Sequence, residues 1–174
     1  MPLGGCLQPR TTGAIGVEPR GAEPYVLSTG DKLRIIVFGQ DSLSNIYQVD
    51  ASGRITMPLI GPIAVAGMST ASATGAIEGR LRAGYIREPK VTVEVDTYRP
   101  FFILGEVTTS GQFPFVNGMT AQTAVAIAGG FTPRAQRGYA DVTRRTPQGV
   151  RTVEVPINYP LRPGDTVVIK ERWF

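Results

Sequence analysis

Two Gly-Asp pairs, Gly30-Asp31 and Gly164-Asp165, and one acid inside an apolar run, Glu106 in Leu104-Gly105-Glu106-Val107, carry the residue types of phosphate, metal or acid–base chemistry. A phosphate cradle needs a glycine-rich loop that opens a helix, because successive backbone amides must converge on the anion. Neither Gly-Asp pair has that spacing. Each reads as a turn, with glycine supplying a positive φ and aspartate accepting from nearby amides. A catalytic carboxylate needs a partner and a raised pKa. No partner is evident for Glu106, so its expected role is an ion pair with an arginine across a domain or subunit contact. Sugar hydrolysis would need two facing carboxyl groups; Asp50, Glu94, Asp96 and Glu106 lie near strands and show no pairing. The chain has no histidine and one cysteine. That removes the histidine general base, the Ser-His-Asp and Cys-His arrangements, and any His/Cys metal site. Lys32, Lys90 and Lys170 remain as amine nucleophiles, each in or beside a strand. These residues point away from an enzyme, and no cofactor is expected.

The formal net charge is +4, and with only three lysines among 18 basic residues the remaining 15 are arginine. Guanidinium forks pair with carboxylate and phosphate. Arg134, Arg137, Arg144, Arg145 and Arg151 fall in one region of the second half. They read either as a positive rim for an anionic glycan or an acidic partner, or as a solvated face. If the strands around Pro147-Gln148-Gly149 form a hairpin, Arg144 and Arg151 face each other or sit diagonally. Basic charge alone does not specify nucleic acid, the aromatics are not interleaved with the arginines, and no nucleic-acid partner is expected.

The elements that must position these residues are mostly strands. The 21 glycines and 14 prolines follow no collagen period and suit short strands joined by turns. Residues 1–23 read as a flexible linker with almost no apolar periodicity. The lone cysteine, Cys6 in Leu3-Gly4-Gly5-Cys6, resembles a lipidation box, but five residues cannot hold the apolar stretch of a secretory signal. Either the true start lies upstream, or Cys6 is an incidental thiol in a tail. No apolar run approaches the roughly 20 residues of a membrane-spanning helix.

From Tyr25 the pattern changes. Leu33 to Phe38 predicts a well-buried strand, and Tyr47–Asp50 with Arg54–Met57 predict a hairpin around Ala51-Ser52-Gly53. Pro58 and Pro62 confine the next segment to an edge or a loop. Ser69 or Thr70 caps a helix to about Ala83, with a stripe of Ala73, Ile77, Leu81 and Tyr85. Val91, Val93 and Val95 alternate with polar residues as a half-buried strand, and Tyr98-Arg99-Pro100 interrupts it as a domain junction. Beyond it come strands over Phe101–Val107 and Gln112–Phe115, then a helix from Thr120 ended by Gly129-Gly130. Strands over Tyr139–Arg145, Val150–Val155 and Thr166–Lys170 complete the second half. The fold class is α+β: two small β-rich domains, 24–97 and 98–174, each with one helix.

These patches resemble one family. Tyr25-x-Leu27-x-x-Gly30-Asp31-x-Leu33-x-Ile35-x-Val37-Phe38, Val49-Asp50-x-x-Gly53-x-Ile55-x-Met57-Pro58-Leu59-Ile60-Gly61 and Pro89-x-Val91-x-Val93-x-Val95 are similar to the polysaccharide biosynthesis/export domain. Leu104-Gly105-Glu106-Val107 with Gly111, Ala126-Ile127-Ala128-Gly129-Gly130-Phe131-Thr132 and Leu161-x-Pro163-Gly164-Asp165-x-Val167-x-Ile169 are similar to the soluble-ligand-binding (SLBB) β-grasp domain that follows it. The resemblance implies a non-catalytic subunit of a closed homo-oligomeric ring that passes capsular polysaccharide or exopolysaccharide. It places the protein at the periplasmic face of the outer membrane, with the box at Cys6 as the expected lipid anchor. The implied partners are copies of itself, the exported polysaccharide and an inner-membrane copolymerase of tyrosine-kinase type. Longer members end in a pore-forming helix, whereas this chain reaches Trp173-Phe174 just after its last strand. A separate outer-membrane barrel, or residues beyond Phe174, would then complete the path. The alternative is a ligand-binding β-grasp module that forms no conduit.

Overall fold

The computed structural model describes residues 25–146 and 148–173. Cys6 and the linker expected over 1–23 lie outside the described residues.

The first half holds five strands and one helix: β1 (Lys32–Val37), β2 (Asn45–Gln48), β3 (Arg54–Met57), β4 (Gly61–Ala64), α1 (Thr70–Arg82) and β5 (Val91–Thr97). β1 is the centre of an antiparallel sheet ordered β2-β1-β5, with Leu33 opposite Tyr47 and Val95. Its alternation decides which face is buried. Leu33, Ile35 and Val37 are inaccessible to solvent, while Ile36 is 48% and Phe38 81% exposed. The strand expected to be well buried is thus covered on one face. Ala73, Ile77 and Leu81 of α1 and Ile55, Met57 and Ile63 of the β3–β4 ribbon all join the cluster that holds Leu33, Ile35 and Val37. Each of the Leu, Ile, Val and Met side chains among them contributes about 1.5–3 kcal/mol on burial.

The hairpin expected across Ala51-Ser52-Gly53 does not form. β2 pairs with β1, whereas β3 pairs with β4, Ile55 opposite Ile63 and Thr56 opposite Pro62. The Asp50 carboxylate accepts from the Ser52 amide and hydroxyl (2.8 and 2.6 Å) and from the Arg54 amide (3.0 Å), so the turn itself is tight. Its two arms then part, because Gly30 and Asp31 hold Val49 beside β1 while Gly53 accepts from Val65 and Ala66. Pro62, which has no amide to donate, sits in a two-stranded ribbon where that loss is tolerated. Ser69 caps α1 by accepting from the Ser72 amide (3.2 Å), and Arg80 and Arg82 occupy the last turn, where positive charge complements the helix dipole. Tyr85, the last member of the expected stripe, is 55% exposed.

The second half runs β6 (Phe101–Gly105), β7 (Gly111–Phe113), α2 (Ala121–Ile127), β8 (Tyr139–Thr146), β9 (Gly149–Pro156) and β10 (Thr166–Ile169). The sheet order is β7-β6-β10-β8-β9, with β6 and β10 parallel at its centre and the other pairs antiparallel. First and last strands side by side, with one helix after the first hairpin, make the β-grasp arrangement. Thr120 caps α2 through a reciprocal box with Thr123. Ala121, Ala124 and Val125 of α2 pack with Phe101, Ile103, Val167 and Ile169 from the covered face of the sheet. β6 stops at Gly105 rather than Val107. Gly105 has φ +89°, and a Cβ there would lie 2.1 Å from the Ile169 carbonyl oxygen. Val107 instead bridges Phe131.

The buried apolar residues therefore form two clusters, Leu27 to Val93 and Phe101 to Ile169, with no shared member. Between them lies the segment Tyr98-Arg99-Pro100.

Candidate functional site

The two Gly-Asp turns are built alike and meet at that segment. In the first, the Ser28 amide donates to Asp31 Oδ2 (2.8 Å) and the Asp31 amide to the Ser28 carbonyl (3.2 Å). In the second, the Arg162 amide donates to Asp165 Oδ2 (2.8 Å) and the Asp165 amide to the Arg162 carbonyl (3.1 Å). Among the described residues Asp31 and Asp165 are the buried charged side chains, at 0% and 1% exposure. A carboxylate out of water is tolerated only when its oxygens are bonded. Asp31 also accepts from the Tyr25 hydroxyl (2.6 Å) and the Arg99 amide (3.1 Å). Asp165 receives a two-pronged fork from Arg144 Nε (2.9 Å) and Nη2 (2.6 Å). Both carboxylates are thereby engaged by protein donors rather than turned toward a ligand.

Arg99 joins the two turns. Its amide reaches Asp31, its Nε donates to the Pro163 carbonyl (3.0 Å), and its Nη1 lies 3.7 Å from Asp31 Oδ2 and 3.4 Å from the Tyr25 hydroxyl. Gly164 makes room for it: φ there is +82°, and a Cβ would stand 2.5 Å from Arg99 Nε. The Gly164 amide bonds the Pro100 carbonyl (3.1 Å) and the Phe102 amide the Asp165 carbonyl (2.9 Å). Tyr25, Tyr98 and Phe115 add edge-to-face ring contacts at 5.0 and 5.7 Å. Burial first, and the hydrogen bond to Asp31 second, push the Tyr25 hydroxyl well above the ordinary tyrosine range. Sequence reasoning placed a domain junction at Tyr98-Arg99-Pro100 and gave Arg99 no role in it. The signal it passed over was a fork-shaped donor between two turns of the same Gly-Asp composition.

The other glycines singled out serve backbone geometry. Gly30 has φ +92° beside Arg99 Cβ, Gly53 φ +76° against Ala66, and Gly129 and Gly130 φ +84° and +95° after α2, with Thr108 capping both carbonyls.

The five arginines do not make one patch. Arg134 pairs with Glu171 (2.7 Å) and Arg137 is exposed in the loop before β8. Arg144 is engaged by Asp165 and lies over the Tyr159 ring at 5.7 Å. Arg151 stands opposite Arg144 across the β8–β9 pair, while Arg145 opposes Val150 on the other face. The loop pair and the hairpin group sit at opposite ends of β8, roughly 20 Å apart at about 3.3 Å per residue. Glu106 accepts from the Thr132 hydroxyl, not from an arginine, because the chain after α2 returns beside Gly105. Phe101 is core, whereas Phe102 is 40% exposed on the open face and Trp173 is 95% exposed.

Of the other acids near strands, Asp50 and Asp96 are engaged separately, and Glu94 is paired with neither. Asp96 pairs with Arg34 (2.6 Å), whose hydrogen bond holds its carboxyl below the usual range. The Ser52 hydroxyl, followed by backbone amides, does the same for Asp50. Both shifts run opposite to what a general acid requires. Among the described residues no helix is long and apolar enough to cross a membrane.

Fold and junction together define a two-core, β-rich α+β molecule whose second half is a β-grasp sheet pinned to the first by Arg99. Residues 19–96 match the family model described as "Polysaccharide biosynthesis/export protein". The chain is 30% identical over 137 residues to the exopolysaccharide production protein ExoF of Rhizobium meliloti (strain 1021), covering 72% of this chain and 32% of ExoF. It is 25% identical over 160 residues to the polysialic acid transport protein KpsD of Escherichia coli, covering 85% of this chain and 28% of KpsD. Against the EPS I polysaccharide export outer membrane protein EpsA of Ralstonia nicotianae (strain ATCC BAA-1114 / GMI1000) it is 30% identical over 186 residues, covering 87% of this chain and 48% of EpsA. The chain belongs to the polysaccharide export protein family. It spans less than half the length of each of these relatives.

Proposed function

We propose that this chain is a non-catalytic subunit for the export of capsular polysaccharide or exopolysaccharide. It works at the periplasmic face of the outer membrane, anchored by a lipid on Cys6. Residues 24–97 act as the export domain and 98–174 as an SLBB-type β-grasp domain. Copies pack side to side in a heterologous contact that closes by rotation, leaving a central passage. An inner-membrane copolymerase of tyrosine-kinase type supplies the polymer. The match of residues 19–96 to the export family carries this reading. The engagement of both buried carboxylates in turns and forks supports the absence of catalysis.

The test is deletion and complementation. Loss of the gene is expected to abolish surface polysaccharide, and the wild-type chain to restore it. A quadruple variant, Asp50→Asn, Glu94→Gln, Asp96→Asn and Glu106→Gln, is expected to restore it equally. Restoration by the wild type but not by the folded variant would show that a carboxylate chemistry is needed.

A further inference from the structure

At the open end of the second sheet, Gln136, Tyr139, Asp141, Glu154, Lys170 and Trp173 line a shallow cleft of about 370 Å³. Sheet register sets Asp141 directly opposite Glu154 on the face away from the core. Lys170 Nζ bridges them, 2.9 Å from Asp141 Oδ1 and 3.0 Å from Glu154 Oε2. These two bonds raise the lysine pKa, so the ammonium is held in place as a charge. Each carboxylate keeps a second oxygen with no protein donor among the described residues. The result is a fixed pair of acceptors beside an amide, Gln136.

Two aromatic rings flank this polar floor. Tyr139 is 50% exposed and Trp173 95% exposed, and neither pairs with another ring among the described residues. An exposed ring beside convergent hydrogen-bonding groups is the chemistry of a site for a flat, amphipathic ligand. A pyranose fits that description, with C–H groups on one face for a ring and hydroxyls around its rim for carboxylates and amides. Charge narrows the class. Asp141, Glu154 and Glu171 face a single lining cation, Lys170, and Arg134 answers Glu171 from outside. The lining itself is net acidic, which disfavours an anion at Asp141 and Glu154; Arg137 and Arg172 border the adjoining depression that shares Gln136, and the hairpin arginines lie at the other end of β8.

We propose that this cleft is a weak subsite for an uncharged sugar unit of a glycan, with Tyr139 and Trp173 stacking on its C–H face and Asp141 and Glu154 accepting from its hydroxyls. This deepens the export reading and rests on it: a polymer in transit needs contacts that release quickly, and an open cleft offers those.

The chain has one tryptophan, so its fluorescence reports this cleft directly. The full chain is titrated with neutral gluco-, galacto- and manno-tetrasaccharides and with tetragalacturonate as the anionic comparator. At least one neutral probe is expected to shift the Trp173 emission to the blue with millimolar saturation, and tetragalacturonate to bind more weakly. Asp141→Asn and Tyr139→Ala are each expected to weaken binding by about tenfold or more, and Arg145→Ala to leave it unchanged. Amide shifts in nuclear magnetic resonance spectra confirm that each variant is folded and locate the contact. No saturable response to any neutral probe, equal affinity in Asp141→Asn, or preference for tetragalacturonate overturns the subsite. Failure of the export reading looks different, because the wild-type chain would then fail to restore surface polysaccharide whatever the cleft binds.

Discussion

The Arg144–Asp165 fork couples a hairpin strand to the turn that opens the last strand, with Asp165 almost inaccessible to solvent. Removing one partner of such a pair leaves a buried charge without its counter-charge. Asp165→Ala is therefore expected to lower unfolding free energy by about 3–5 kcal/mol in urea titrations. Arg145→Ala, one residue along and on the open face, is expected to change it by less than about 0.5 kcal/mol. Tyr25 gives a pH prediction. Its hydroxyl is raised by burial and by Asp31, so the native state keeps a proton that the unfolded chain releases near the ordinary value of 10.0. The stabilisation is complete below that pH and declines as pH rises above it, by up to about 1.4 kcal/mol per unit. Tyr25→Phe is expected to flatten that alkaline slope by one proton, measured from urea midpoints across pH. At this scale the Gly-Asp turns were legible, because each closes on itself within four residues. Their long-range partners were not: Arg99 binds Asp31 from 68 residues away and Arg144 binds Asp165 from 21. No local pattern encodes a meeting that the fold creates.

Elements whose register is set by one face were readable from alternation. β5 and α1 fall where Val91, Val93 and Val95 and the cap at Ser69 placed them. The failure came where pairing is a choice among equals. β2 and β3 both flank a sound turn, and only the tertiary contacts of Val49 and Gly53 decide that they join different partners. Likewise β1 carries Ile36, with Phe38 just beyond it, on the face opposite Leu33, Ile35 and Val37, yet α1 and the β3–β4 ribbon cover only the latter. α1 also carries a correctable weakness. Gly75 and Gly79 are exposed, lie outside the positive-φ region, and a Cβ at either would meet nothing within 4 Å. Gly75→Ala and Gly79→Ala are each expected to stabilise the protein by about 0.5–1 kcal/mol, read as a shift in urea midpoint at constant slope.

At the scale of the molecule, the contacts that pin the two clusters together had to come from coordinates, because they join residues far apart in sequence. Arg99, with Gly164 cleared for its side chain, bonds to the Gly-Asp turns of both halves. The proposed ring would need a fixed angle between the halves, since small errors in it accumulate around a circle, and Arg99 is placed to fix it. Residual dipolar couplings are expected to fit one alignment tensor for both halves of the wild type and two for Arg99→Ala. A single tensor in the variant would place the rigidity elsewhere, in the Tyr25–Tyr98–Phe115 ring contacts.

The most direct measurement is the mass and shape of the full-length, membrane-extracted protein, by light scattering together with electron microscopy. A discrete closed ring of copies around a central opening is the expected result, with Arg99→Ala giving open or uneven arcs. A monomer at every concentration, with no ring when the lipid and the inner-membrane partner are both present, would contradict the account.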